Sequence, residues 1–486
     1  MSPAPLPGRT KPVFLRTTAP TPAQAPVAER FHACVRNTGN YFFEESLLRH
    51  LPGIDVFDSL ETLPRQIGTL VLSMSNFISP STDLGYLHDA LAARRIDQVV
   101  MVGAGAQAYR YSDCVRLTDG TRRFLGYVAD RSVSIGVRGY YTAEILERLG
   151  IHNVSVIGCP SAFWSGQVPG PGLRRCGKPA RLAVHSTPIG HFRDKVSALL
   201  SHGMRHGADY VMQSEAWMMP LLREGGDDAA LEEGLLYYGY PECDPAALRT
   251  WLERNLHVFF GVREWLERME GYDFVYGSRF HGNMAAIQAG VPALNMPFDT
   301  RTRELCEYLN LPTLPLLDFE AGMPVQQLRE MADFSLFTRT FPRKLRDYAE
   351  FLARSGLPHA LTDLEGPACE DRESRVKARS VAQLLCDAHM FKADAGFSLA
   401  AKLAQRLRPD RPEAARRAAD IGLINAIDPV PHPALIPDNQ LDEWLGQAPR
   451  PAPGPAAALH GPPAIPPGPA LHPRATDLAQ SGIVLH

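Results

Sequence analysis

Residues 271–300 read GYDFVYGSRFHGNMAAIQAGVPALNMPFDT. The apolar run FVYG (274–277) has the length of a buried strand, and the Ala-rich stretch from Met284 reads as a helix. Gly290 with Val291-Pro292 stops that helix, and ALNM (293–296) is a second short apolar run. Strand, turn, helix, stop and strand in 23 residues is the crossover unit of a parallel sheet. The turn holds Ser278, Arg279, Phe280, His281, Gly282 and Asn283. An arginine and a histidine two residues apart, beside the free N–H groups of a helix start, suit a dianionic phosphate, and Gly282 lets the backbone approach it. The structural alternative is an arginine that caps or pairs at the surface and a histidine hydrogen-bonded inside.

The same alternation extends outward from this unit. Before it come FHACV (31–35) as a strand, NYFFEESLLRHL (40–51) as a helix, TLVLSM (69–74), DLGYLHDALAARR (83–95), QVVMVG (98–103), SVSIGV (132–137), YYTAEILERLG (140–150) and VSVIG (154–158). The Gly/Pro-rich SGQVPGPGLRRCGKP (165–179) interrupts the rhythm, which restarts with RLAVHS (181–186) and continues through YVMQSE (210–215), LHVFF (256–260) and VREWLERM (262–269). The pattern predicts an α/β fold of two Rossmann-like halves, 29–168 and 180–320, with parallel sheets facing across a cleft. Ligands in such folds sit outside the carboxyl ends of the strands. Amphipathic segments at 325–337 and 343–356 are expected to brace the halves as part of a helical extension over 321–428. Seven of the 42 prolines fall in residues 1–26 and fourteen in 429–473, so an N-terminal arm (1–28) and a tail (429–486) are expected to be disordered.

Fifty basic and fifty-three acidic side chains leave a net charge of -3, which excludes a global field for nucleic acid or anionic membrane but allows a local anion pocket. Only seven of the basic residues are Lys; the guanidinium excess suits planar phosphate and carboxylate recognition, and GC-rich codon usage produces the same bias. The eight cysteines are widely spaced with no C-x-x-C pair, so neither a zinc cage nor a disulfide frame is indicated, and no metal site is expected. With no 18-residue apolar run and no secretory leader pattern, a cytoplasmic enzyme without a transmembrane segment is expected. Gly103-Ala104-Gly105-Ala106-Gln107-Ala108 fits the dinucleotide string, but no helical pattern or distal acid follows; the glycines read as a strand-end turn lining the cleft. His185, Gln213 and Glu215 at strand ends, with Tyr109 and Tyr111, are secondary candidates for acceptor contacts, and satisfied buried polar groups or loop aromatics are their alternatives.

The flanks of the Arg279/His281 turn resemble the C-terminal signature of the polysaccharide pyruvyl transferase family: an aspartate-led strand, R-x-H-G, an Ala-rich helix, G-x-P, a strand and a further turn and helix. The resemblance continues in Arg36-Asn37-Thr38-Gly39-Asn40, similar to an N-x-G-D loop, in VVMVGAGAQ (99–107), and in the strand, arginine, helix and L-G-I run that starts at SVSIGVRG (132–139). It implies a fold like the GT-B glycosyltransferases, phosphoenolpyruvate as donor, a saccharide hydroxyl pair as acceptor, a pyruvate ketal and phosphate as products, and no cofactor. It places Arg279 and His281 as catalytic, and Arg138, Asn37, Gly39, Asn40, Gly103, Gly105 and Gly282 as substrate-binding. Two arginines, one from each half, would neutralise phosphate and carboxylate while the imidazole handles a proton. For Arg138 a structural alternative is pairing with Glu144 or an interface acid. The chain departs from the pattern at Asn40, Gly139 and Cys159, where carboxylates are usual, and at Arg301, where Lys is usual. The rival readings are a nucleotide-sugar GT-B glycosyltransferase and a non-catalytic saccharide- or phosphate-binding relative.

Overall fold

The computed structural model describes residues 11–108, 115–167, 169, 180–222 and 228–361. The first sheet is β1 (Val13–Leu15), β2 (Asp55–Phe57), β3 (Gln66–Ser73) and β4 (Arg95–Val102), parallel in the order β2-β1-β3-β4. A bridge between Ala104 and Val137 continues it to the parallel pair β5 (Ile135–Val137) and β6 (Val154–Val156). The second sheet holds β7 (Leu182–His185), β8 (Asp209–Met212), β9 (Leu256–Val258), β10 (Phe274–Gly277) and β11 (Ala293–Asn295), parallel in the order β11-β10-β7-β8-β9. The helices of the first half are α1 (Val27–Ala33), α2 (Gly39–His50), α3 (Gly85–Ala92), α4 (Asp119–Arg131) and α5 (Tyr140–Arg148). Those of the second are α6 (Arg193–Arg205), α7 (Asp228–Gly239), α8 (Pro245–Asn255), α9 (Val262–Met269), α10 (Phe280–Gln288) and α11 (Thr300–Leu309). α12 (Val325–Met331) and α13 (Ser335–Arg354) follow.

Two expectations change at the start of the chain. Val13–Leu15, assigned from the proline content to a disordered arm, is an interior strand of the first sheet. Three apolar residues between prolines give too short a run to register as a strand, yet burial of Phe14 and pairing on both edges hold it. FHACV does not form a strand: Phe31 lies inside α1, which starts after Pro26, a residue that disfavours continuation of a helix only toward its own N-terminal side. The linker residues 170–179, the extension beyond 361 and the tail lie outside the described residues.

Each sheet reverses its winding once, and the two reversal points differ. In the first, between β1 and β3, the crevice is filled by the buried carboxylate of Glu44 from α2. It accepts from Thr17 N (2.8 Å) and Oγ1 (2.6 Å) and from Thr18 Oγ1 (2.5 Å), and it pairs with Arg16 at 3.6 Å. In the second, between β7 and β10, the crevice holds His185, Ser186 and Arg279, at the position where open α/β sheets take ligands.

One apolar cluster spans both halves, and a second lies within the first half. Phe42 of α2 meets Trp265 of α9 and Trp164, and Phe163 stacks on Tyr348 of α13. α13 returns to the first half, where Gln98 Nε2 donates to Ser355 O (3.0 Å) and Arg354 to Ser155 Oγ (3.2 Å). Two buried histidines repeat one motif. His50 Nε2 lies 2.8 Å from Phe163 O and its Nδ1 3.1 Å from the Tyr348 hydroxyl; His202 Nε2 lies 2.9 Å from Met323 O and its Nδ1 2.7 Å from the Tyr276 hydroxyl. A carbonyl can only accept, so Nε2 carries the proton, and in the neutral ring Nδ1 accepts from the tyrosine hydroxyl. Burial pushes both imidazoles down to about 4.

The folded rings resist protonation while unfolded ones take it up below about 6.5. The stability they supply is therefore present above that value and is lost as the pH falls from there toward 4. Between pH 7 and pH 5 the wild type should lose about 2 kcal/mol more than a His202→Gln variant, read from urea denaturation at each pH. Equal losses would mean that His202 is charged within the fold.

Candidate active site

The carboxyl ends of the two sheets bring Arg138, Arg279 and His281 together. Arg138 follows β5 and is almost wholly buried; its Nε donates to Gly103 O at 2.9 Å and its backbone N–H to Ala104 O at 2.8 Å. Gly103 takes the left-handed conformation (φ 71°). A Cβ at Gly105 would stand 2.9 Å from Arg138 Cδ and 2.7 Å from Ser75 O. These two glycines thus form the seat of an arginine. Arg138 forms no ion pair with Glu144 or any other acid among the described residues, and Glu304 and Asp299 attract it only over a longer range.

Arg279 is the residue before α10. Its Nε donates to Ser186 O (3.0 Å), Nη2 donates to Ser214 Oγ, and Glu215 Oε1 lies 3.8 Å away. Glu215 is buried at the end of β8, where it also accepts from Gln213 N (2.7 Å), Ser214 N (2.8 Å) and the Tyr210 hydroxyl (3.1 Å). It is therefore a fixed counter-charge that aims the guanidinium. Arg279 N donates to Nδ1 of His185 at 3.2 Å, so His185 caps α10 through a ring that burial and the Arg279 charge hold down at about 3. A Cβ at Gly282 would lie 2.5 Å from this ring and 2.7 Å from Gln213 Nε2. Gly282 serves close packing of α10 on β7 and β8.

His281, in the first turn of α10, sits against the start of α2. A Cβ at Gly39 would be 2.5 Å from its Nδ1, and Phe43 stacks on the ring with centroids 6.3 Å apart. Asn37 Oδ1 accepts from Gly39 N (3.1 Å), whereas the Asn40 amide donates to Cys34 O (3.0 Å) and is engaged in holding the preceding turn. That turn places Val35 and Arg36 at φ 55° and 54°, a region costly for a β-branched residue. Burial, and then the charges of Arg138, Arg301 and Arg279, hold the His281 imidazole well below its ordinary value, so the free protein carries it neutral.

Two features go beyond the sequence reading, which noted Arg301 only as a departure from the family's usual Lys. Arg301 of α11, anchored by Asp299 at 3.2 Å, adds a third guanidinium to the field at His281. Glu304, on the same helix and fully buried, crosses to the first half and caps α5 by accepting from Thr142 N (3.0 Å) and Oγ1 (2.6 Å). It occupies the space that a side chain at Gly139 would need, since a Cβ there would stand 2.5 Å from the Glu304 Cβ. Burial pushes its carboxyl up to about 8. Thr300 adds to this junction: its N–H donates to Ala108 O and its hydroxyl accepts from Ala108 N, each at 3.0 Å. No sequence signal separates Glu304 from any other helical glutamate. Tyr109 and Tyr111 lie outside the described residues.

The fold and site together define an α/β protein of two parallel-sheet halves with three arginines acting on one histidine. The polysaccharide pyruvyl transferase family model matches residues 37–299, more than half of the chain, and the chain belongs to that family. Membership brings the class of activity, transfer of a pyruvyl group in polysaccharide biosynthesis, and a saccharide acceptor. No match to a curated protein was found. Solved structures that align include a protein of uncharacterised function from Klebsiella pneumoniae (12% identity, 61% of this chain and 87% of that one, TM-score 0.32). A putative UDP-N-acetylglucosamine 2-epimerase from Listeria monocytogenes (10%, 79% and 98%, TM-score 0.32) and the glycosyltransferase SnogD from Streptomyces nogalater (14%, 58% and 95%, TM-score 0.23) also align. No described helix is long and apolar enough to cross a membrane.

Because Glu215 is the buried partner of Arg279, Glu215→Ala should destabilise the fold by about 3 to 5 kcal/mol in urea denaturation and weaken binding of inorganic phosphate. Unchanged phosphate affinity in the folded variant would show that Glu215 does not aim the arginine.

Proposed function

We propose that this protein transfers the pyruvyl group of phosphoenolpyruvate to a pair of saccharide hydroxyls, forming a pyruvate ketal and releasing phosphate. The observation that carries the reading is the convergence of Arg138, Arg279 and Arg301 on a neutral His281. A small donor with a phosphate and a carboxylate offers two anionic groups to guanidinium forks contributed by both halves. Burial holds the imidazole down first and the arginine charges add to it; the donor's arrival cancels those charges and sets an anion beside the ring, which takes up a proton as the donor binds. The imidazolium then delivers that proton to the methylene carbon while one acceptor hydroxyl adds to the adjacent carbon. Phosphate leaves as the second hydroxyl closes the ketal. Of the two hydroxyl protons lost overall, one replaces the proton given to carbon and the other departs on phosphate. The family's usual carboxylates are missing at Asn40, Gly139 and Cys159, and the neutral imidazole of the free protein is the group that can supply acid–base chemistry in their place.

Phosphate release from phosphoenolpyruvate should depend on a saccharide acceptor when tested against a panel of oligosaccharides. Arg279→Lys should weaken donor binding by about 1.5 to 3 kcal/mol, while His281→Gln should lower turnover by about 10² to 10⁴ with donor affinity little changed. A melting shift with nucleotide sugars and none with phosphoenolpyruvate would reject the reading in favour of a glycosyltransferase. Donor binding without turnover on any acceptor would favour a binding-only relative.

Proton uptake is a separate check. The dependence of calorimetric binding heat on buffer at pH 7 should show more protons taken up by wild type than by His281→Gln, and donor affinity should rise as the pH falls toward 6. Equal uptake in the two proteins would assign the proton to another group.

A further inference from the structure

Among the described residues, the polar group at hydrogen-bonding distance from His281 Nε2 is the Cys159 sulfur, at 3.8 Å. Cys159 follows β6 in the first half and is fully buried, and its sulfur also lies 3.1 Å from Ser161 Oγ, itself buried. The other ring nitrogen, Nδ1, is turned toward Gly39, beside Asn37 Oδ1. The faces of the ring are apolar: Phe43 stacks on it, and Phe42 and Phe280 stand at 6.1 and 5.5 Å between centroids. The charges acting on it come from Arg138 after β5, Arg279 on its own turn and Arg301 on α11, and all are positive.

We propose that Cys159 is a positioning residue for His281, its thiol donating to Nε2 so that the neutral ring is fixed as the Nδ1–H tautomer with its proton on the Gly39 and Asn37 side. The chemistry of sulfur suits this task. A thiol is a weak donor and its sulfur a weak acceptor, so the contact orders the neutral ring yet can reverse when Nε2 gains a proton. A carboxylate at the same place would pair with the imidazolium and hold it charged with or without a donor. A methyl group would leave Nε2 without a partner and both tautomers accessible. The inference rests on reading His281 as the proton-handling group, and its test needs no turnover.

The full chain, labelled with ¹⁵N only in histidine, is titrated without substrate, and the His281 signal is identified by its loss in His281→Gln. In wild type the nitrogen shifts should report the Nδ1–H tautomer, uncharged down to pH 6, and Cys159→Ser should keep it. Cys159→Asp should raise the midpoint of the His281 titration by about 1 to 3 units, the scale of an opposite charge at close range. Cys159→Ala, which removes the donor with the least change in volume, should give a mixture of tautomers and serves should the aspartate variant not fold. An Nε2–H tautomer in wild type, an unmoved midpoint in Cys159→Asp, or an unchanged tautomer in Cys159→Ala would overturn the proposal. Absence of phosphate release from phosphoenolpyruvate with these shifts intact would count against the donor assignment and leave the role of Cys159 standing.

Discussion

Positive charge withheld from water governs this molecule. Arg138 and Arg279 are both deeply set, and a buried guanidinium is tolerated only where its N–H groups find partners or a counter-charge stands near. The chain meets that demand with backbone carbonyls at Gly103 and Ser186, and with a single close acid, Glu215. The resulting site is positive without being fully neutralised by its own protein. Burial first, and then that residual field, keep His281 uncharged, and the field is the part an incoming anion would relieve.

The contrast between the two sheet reversals follows the same logic. Glu44 fills the first with a carboxylate saturated by threonine hydroxyls and backbone N–H groups, which turns a potential ligand crevice into a structural joint. At the second, Glu215 stands 3.8 Å from the arginine it orients, and the guanidinium still adds to the positive field at His281. One fold unit used twice supports a joint in one place and a candidate reaction site in the other: Glu44 ties α2 to the threonines after β1, whereas Arg279 acts on His281.

Much of this was legible from the chain alone, because β10, the Arg279 turn, α10 and β11 are encoded locally by apolar run length, an Ala-rich helix and a Gly/Pro stop. The parallel alternation follows from order along the chain, whereas the pairing of Arg138 with Arg279 and His281 was implied by the family resemblance. What escaped reading depends on contacts between residues far apart. β1 is a strand because two neighbours pair with it, not because three residues between prolines prefer extension. Asn40 looks like its neighbours Asn37 and Gly39 on paper, yet its amide is committed to Cys34 O. Glu304 becomes a helix cap only when α11 is laid against α5.

The meeting of Gly139 and Glu304 has a bearing on how such a chain can vary. With their backbones this close, the two positions share one side chain's worth of space, and Glu304 holds all of it. Any residue larger than glycine at 139 requires a shorter one at 304, and a shortened 304 strips α5 of its cap unless position 139 supplies a replacement. The two sites are thus inherited as a pair. A relative carrying an acid directly after its strand-end arginine should carry a small residue where this chain has Glu304, the same carboxyl group having changed its point of attachment from one half to the other.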